Sequence, residues 1–437
     1  MKTFLTLLLG FVIALGTILN IKKKSVMPIE SPVKVTLNNL QGKYQLLVNG
    51  KPFYIKGAGL EFGEIASLAK HNGNSFRTWR TSNGKQSGKQ ILDEAKKYGL
   101  MVTMGIEVGR ERHGFDYDNP EVVQKQLENI KKEVLALKDH PSLMIWAIGN
   151  ELNLHYSNPK VWNAVNEISK MIHEIDPNHL TTTTLAGISQ KEINYIKERC
   201  TDLDLLSIQM YGELPELPKL LKKYNWRGPY MVTEWGATGH WEVPKTSWGA
   251  PIEEHSSLKA ANYLQRYKTG IAIDTKQCLG SYVFLWGQKQ ERTPTWYGLF
   301  LENGKETESV DVMHYIWNDA WPENKTPQIT SFTLNNKTAY DNVVVKEGSI
   351  VSAALEITDL EKDDIHYRWE LLKESTSVQE GGDYEERPKN LKIKTIKISK
   401  GTLEFKAPKK GNYRLFGYAN DGHSHEATAN IPFRVTE

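Results

Sequence analysis

Eight times along the first two thirds of this chain a short apolar run gives way to a helix-like pattern, and few folds accept that rhythm. The runs occupy residues 74–79, 100–107, 143–151, 180–185, 203–211, 230–235 and 279–287, after a first strand that residues 53–57 lead into. Continuous apolar runs, rather than strict alternation, suit strands covered on both faces of a parallel sheet. The stretches between them carry helix signals. Asn119-Pro120 reads as an N-cap and first turn, after which Val123, Leu127, Ile130, Val134 and Leu137 trace one face. Asn158-Pro159 opens another helix, and Ser189-x-x-Glu192 is a capping box. Alternating strand and helix with right-handed crossovers makes a parallel α/β architecture. Eight repeats favour a closed (β/α)8 TIM barrel over an open sheet.

The flanks differ from this pattern. Residues 33–48 alternate and reach Asn49-Gly50, a hairpin turn signal, with a return strand at 53–57. Beyond Trp321-Pro322 the helical period stops. Every second residue of 365–371 is apolar, and Gly411-Asn412 and Asp421-Gly422 supply turns, which predicts a C-terminal all-β immunoglobulin-like sandwich. Its aromatic residues read as core, and His423-x-His425 as a solvated strand end, two histidines being too few for a metal site. At the other end Lys2 precedes an apolar run over 4–21, and Lys22, Lys23 and Lys24 follow it. This reads as a secretory signal, with an uncleaved membrane anchor left open. The expected division is 1–26 a signal peptide or N-terminal anchor, 33–322 the barrel with its hairpin, and 327–437 the sandwich. The body of the chain is expected to be exported, whether periplasmic, cell-surface or secreted. Cys200 and Cys278 each precede a predicted strand, which places them as packing residues toward the amino end of the barrel. The net charge of +3, from 55 basic and 52 acidic residues, provides no concentrated basic face for nucleic acid.

Two of the apolar runs end in glutamate. One closes Leu-Met-Ile-Trp-Ala-Ile-Gly-Asn-Glu at Glu151, and the other places Glu234 in Tyr-Met-Val-Thr-Glu-Trp-Gly. The carboxyl ends of barrel strands are where this architecture keeps its chemistry. Two facing carboxylates are the minimum set for cleaving a glycosidic bond. The strand-to-helix connections are long at 108–119, 237–256 and 288–307, and hold Arg110, His113, His240, Trp241, Trp248, Arg292 and Trp296. Trp241 and Trp296 are the candidates there for stacking on a sugar ring. Glu61 and Glu107 either bind hydroxyls in outer subsites or cap loops, and Glu291 with Arg292 reads as an ion pair.

With Gly149-Asn150-Glu151 after the fourth strand and Thr233-Glu234-Trp235-Gly236 after the seventh, the barrel resembles the retaining glycoside hydrolases of clan A. Over residues 36–320 it is similar to the TIM-barrel domain of glycoside hydrolase family 2. The resemblance implies that Glu151 is the acid/base and Glu234 the nucleophile. It implies that Arg77 and Tyr211 hold the nucleophile, that Asn150 binds the sugar 2-hydroxyl, and that Trp286 is the platform under the reactive sugar. It implies a polysaccharide or oligosaccharide partner and no metal or organic cofactor. Family 2 enzymes usually carry β-sandwich domains before the barrel, whereas here one follows it. That layout is similar to the endo-β-1,3-glucanases of glycoside hydrolase family 158. The expectation is therefore an endo-acting β-1,3-glucanase, with a β-mannanase or a glucan transglycosylase as alternatives. A non-catalytic carbohydrate-binding protein on a hydrolase barrel is the reading from another class. Against it stands the complete set Arg77, Asn150, Glu151, Tyr211 and Glu234.

Overall fold

The computed structural model describes residues 32–437, so the segment read as a signal or anchor lies outside the described residues. Among those described, no helix is long and apolar enough to cross a membrane. The chain opens with a three-stranded antiparallel sheet, β1 (Val35–Leu40), β2 (Lys43–Val48) and β3 (Lys51–Pro52). The single long strand expected over 33–48 is thus cut in two. Gln41 and Gly42 both take left-handed backbone (φ 55° and 86°), the two-residue turn that suits strand twist. Alternation continues across so tight a turn, which hides it. Val33, Val35 and Leu46 then pack against Met144, Leu205 and Met231, so this sheet seals the amino end of the barrel.

The barrel strands are β4 (Ile55–Gly59), β5 (Ser75–Arg77), β6 (Met101–Ile106), β7 (Leu143–Asn150), β8 (Leu180–Ala186), β9 (Leu205–Gln209), β10 (Tyr230–Glu234) and β11 (Cys278–Val283). They pair in parallel and close, β11 bonding to β4. Helices wrap the outside. The helix Pro120–Leu137 starts where Asn119 Oδ1 accepts from the amides of Glu121 (3.1 Å) and Val122 (3.3 Å), and it buries Ile130, Val134 and Leu137. The barrel interior is not wholly apolar. The Tyr282 hydroxyl crosses it to Ser75 Oγ (2.9 Å) and Thr103 Oγ1 (2.6 Å), which satisfies three buried hydroxyls at once. Cys200 and Cys278 are free and buried.

The C-terminal part is a β-sandwich. One sheet holds Gln328–Leu334, Ile350–Thr358, Thr402–Lys406 and Lys394–Ser399. The other holds Val344–Lys346, Glu426–Thr436, Gly411–Asn420, His366–Lys373 and Asn390–Leu391. Val351, Phe405, Leu415 and Phe433 fill the space between them. Barrel and sandwich meet through buried polar groups. Asn430 Nδ2 and Thr293 Oγ1 both donate to Glu253 Oε2 (each 2.6 Å), and Arg414 Nη2 donates to the Pro251 carbonyl (2.7 Å). His425 belongs to this joint and is not a solvated strand end. It is buried, with Nδ1 on Asp421 (2.9 Å) and Nε2 3.5 Å from Glu306, because the barrel covers the strand end that carries it. Only His423 faces solvent.

Replacing Tyr282 with Phe should leave Ser75 and Thr103 each short of a partner at the barrel centre. A loss of about 1–3 kcal/mol is expected, read as a lower denaturant midpoint with an unchanged slope.

Candidate active site

A β-bulge prepares each of the two glutamates. Along β7, Ala147 pairs with Thr182 but Asn150 pairs with Thr184, so β7 carries one extra residue just before Glu151. Along β10, Val232 pairs with Ile208 and Glu234 with Gln209, again one extra residue. A bulge breaks the two-residue alternation and re-aims the side chain that follows. Gly149 accommodates the first bulge with φ +73°; a Cβ there would also lie 2.5 Å from Leu152. Glu151 itself is left-handed (φ 52°), which is uncommon for a residue with a Cβ. Both carboxyls line one cavity of about 1360 Å³ at the carboxyl ends of the strands.

Four donors converge on Glu234. Arg77 Nη1 (3.2 Å), Trp79 Nε1 (2.8 Å) and Gln209 Nε2 (3.0 Å) reach Oε1, and the Tyr211 hydroxyl (2.9 Å) reaches Oε2. Asn150 Oδ1 accepts from Arg77 Nη2 and Gln209 Nε2, both at 2.8 Å, which leaves its Nδ2 free of that pair. Arg77 and Tyr211 therefore stand against Glu234, with Asn150 beside it. Trp79 and Gln209 are not among the residues that the sequence motifs single out. Each lies two residues from a named partner, Trp79 after Arg77 and Gln209 before Tyr211, so period-two counting would have put them on the same face.

Glu151 has a different setting. Its carboxyl accepts no hydrogen bond among the described residues. Burial and, after it, the negative charge of Glu234 push its pKa up to about 7, against the opposing fields of Arg112 and Arg110. Glu291 lines the same cavity and is also raised by burial; it pairs with Lys289 (3.0 Å), not with Arg292. Glu61 and Glu107 line the cavity too, Glu61 while bonded to Arg80 (2.7 Å). Among the described residues no group of three or more His, Cys, Asp or Glu side chains is placed to hold a metal ion.

Of the expected platforms only Trp241 is in place, 56% exposed on the cavity wall. Trp286 is not a platform. β11 ends at Val283, and Trp286 is turned away into Phe300 (5.2 Å), Trp317 (5.5 Å) and His71 (5.6 Å), fully buried. Phe284 lines the cavity instead. Trp296 is also buried, its Nε1 donating to the Thr238 carbonyl (2.8 Å), so it anchors two long loops to each other. One wall comes from the sandwich. Glu380 to Tyr384, in the loop between His366–Lys373 and Asn390–Leu391, line the cavity, and Tyr384 is 84% exposed there. Arg292 helps hold this loop, donating to the carbonyls of Ser377 and Gln379.

Residues 63–265, somewhat less than half of the chain, match the family described as "Glycosyl hydrolases family 2, TIM barrel domain". A stretch of 134 residues is 28% identical to a probable mannan endo-1,4-beta-mannosidase C of Aspergillus terreus, covering 28% of this chain and 30% of that protein. Among solved structures, Bacteroides uniformis beta-glucuronidase 2, covalently bound to cyclophellitol-6-carboxylate aziridine, superposes with a TM-score of 0.53 at 14% identity. That match covers 92% of this chain and 48% of the other. The GH2 beta-galacturonidase of Eisenbergiella tayi, bound to galacturonate, gives 0.50 at 17% identity over 66% of this chain and 54% of the other. At these identities the solved structures share the fold with this chain. The chain spans about half the length of those structures and a smaller part of the fungal protein.

The two tryptophans should separate by experiment. Trp286→Ala is expected to cost about 3–5 kcal/mol of stability. Trp241→Ala should leave the melting temperature within a degree or two, roughly what an exposed substitution does, and weaken oligosaccharide binding measured by calorimetry.

Proposed function

We propose that this protein is a retaining glycoside hydrolase that cleaves a β-linked polysaccharide by double displacement. The observation that carries this is the contrast between two glutamates in one cavity. Four donors surround Glu234, while Glu151 is bare of donors and its pKa is raised by burial and by the Glu234 charge. In the first step Glu234 attacks the anomeric carbon while Glu151 gives its proton to the departing oxygen, and a covalent glycosyl-enzyme forms. In the second step Glu151 takes a proton from water, which attacks the same carbon and frees Glu234. Tyr211 and Arg77 orient the nucleophile, and Asn150 Nδ2 faces the sugar hydroxyl next to the reacting carbon. A cavity of about 1360 Å³ exceeds what a single small ligand fills, which supports a chain of several sugar rings as substrate.

Within this class the substrate put forward is a β-1,3-glucan cut internally, on the strength of a barrel followed by a single sandwich. A β-mannan is the second reading, carried by the stretch similar to the Aspergillus terreus mannosidase. Export of the protein is proposed on the segment at residues 1–26. A panel of β-1,3-glucan, β-mannan and mixed-linkage glucan, with product lengths and the anomer first released read by NMR, tests all of these together. Release of the inverted anomer would sink the retaining assignment, and no cleavage of any β-glycan would sink the enzyme.

Glu234→Gln should abolish turnover yet still bind oligosaccharide. Glu151→Ala should harm substrates with poor leaving groups far more than activated aryl glycosides, since those need little protonation. Because Glu151 must begin protonated and its pKa is raised, kcat/KM should fall as pH rises through about 7. A profile flat from pH 6 to 9 contradicts this.

A further inference from the structure

We propose that Arg112 is a positioning residue for Glu151, and that the sandwich loop holds Arg112 in place, so that the second domain takes part in setting the acid/base. This rests on the reading of Glu151 given above. The backbone of Glu151 is held from three sides. Its amide donates to the Thr184 carbonyl (3.0 Å), and its own carbonyl accepts from the Leu154 amide (3.0 Å) and from Arg112 Nη1 (3.2 Å). Arg110 Nε donates in the same way to the Asn150 carbonyl (3.2 Å). Two arginines from the loop after β6 thus clamp consecutive carbonyls at the bulge, where a left-handed glutamate needs outside support.

The Arg112 side chain is 9% exposed. Its Nε and Nη2 have no hydrogen-bond partner. The nearest carboxylate, Asp383 Oδ1 on the sandwich loop, is 4.0 Å from Nη2, close enough to attract and too far to bond. A guanidinium with two buried nitrogens that make no hydrogen bond projects its field onto its neighbours, and Glu151 is among them. The sandwich loop seals this arrangement. Gly381 is left-handed (φ +60°), and a Cβ there would stand 2.7 Å from both Arg112 Nη2 and Leu154 Cδ2, so the loop backbone lies directly on the guanidinium. His113 to Asp383 (3.0 Å), His155 to Glu380 (2.7 Å) and Lys289 Nζ to the Gly382 carbonyl (2.7 Å) pin the loop to three different barrel loops.

The charges facing Glu151 are Glu234 and Arg77 from the strand ends, Arg110 and Arg112 from the loop after β6, and Glu291 from the loop after β11. Those facing Arg112 are Arg110, Glu151, Asp383 and Glu380, with His113 and His155 bonded to the last two. Removing the Arg112 charge strips away an attraction that favours the Glu151 carboxylate. Removing the Asp383 charge leaves Arg112 freer to exert it. The two changes therefore have opposite signs.

The test is a titration of the Glu151 carboxyl by carbon-13 NMR, with Glu151→Gln to assign its signal, alongside the pH profile of kcat/KM. Arg112→Met should move the titration midpoint to higher pH by about one pH unit. Arg112→Lys, which keeps the charge, should bring it back. Asp383→Asn should move it to lower pH; this residue lies on an exposed loop, so the variant tests the idea even where Arg112→Met does not fold. A structural disturbance would shift both variants the same way, and that result, or no shift in either, overturns the proposal. The titration needs no turnover. A wild-type protein inactive on every glycan removes the hydrolase reading, while the NMR shifts still decide whether the loop and Arg112 act on Glu151.

Discussion

The Arg77 guanidinium is the constraint on which the site and the barrel both depend. It is 1% exposed, and burying a cation costs several kcal/mol unless partners meet it. Its partners are Glu234, the Thr233 carbonyl and Asn150. They lie on β10 and β7, while Arg77 ends β5. One side chain therefore braces three strands spaced around the barrel mouth. The requirement also runs the other way: the Glu234 charge would be buried without its counter-ion if Arg77 were lost. Losing Arg77 would therefore disturb these strand ends and the nucleophile together.

Two glutamates of identical chemistry end up with different characters because their surroundings differ. The donors to Glu234 come from strand ends already fixed by the barrel, so they cost little to organise. Glu151 is displaced from such donors by the bulge and by its left-handed backbone, and is left with burial and a neighbouring negative charge. The bulge in β7 thus shapes the electrostatics as well as the direction of the side chain. A regular strand would alternate through this point and point the next residue elsewhere.

The strands and helices could be read from the chain because periodicity and caps are local. The Asn119 cap and the apolar face of its helix appear where the pattern puts them. Arg77, Asn150 and Tyr211 are legible through the family resemblance, because each stands at or just beyond the end of a strand that local pattern marks. What failed were inferences about direction. An apolar run looks the same with or without one extra residue, so the bulges were invisible. The run over 279–287 reads as one strand, but the ladder stops at Val283, and three residues later the Trp286 side chain points outward into aromatic packing. Trp296 shows the same ambiguity in a loop: a long connection needs its own small core, and a tryptophan serves that as well as it serves a sugar. Tyr384 could not be found at all by local pattern. Its part in the cavity wall exists only because a distant loop docks across the barrel.

That docking changes what the second domain is. A sandwich tethered as an independent module would meet the barrel through a modest, wet surface. Here the joint buries Glu253 with Asn430, and Arg414 against the Pro251 carbonyl, and it encloses His425 between Asp421 and Glu306. Each of these groups reaches across to the other domain, while Glu253 also pairs with Lys259 and Arg414 with Glu374 within their own domains, so separating the domains would break the crossing contacts but not these ion pairs. The loop at 380–384 is positioned by this joint at one side and by His113, His155 and Lys289 at the other. It is thus held to the barrel mouth by both its root and its tip. A single sandwich after the barrel is therefore part of the cleft's architecture, and the cavity that contains Glu151 and Glu234 is a product of both domains.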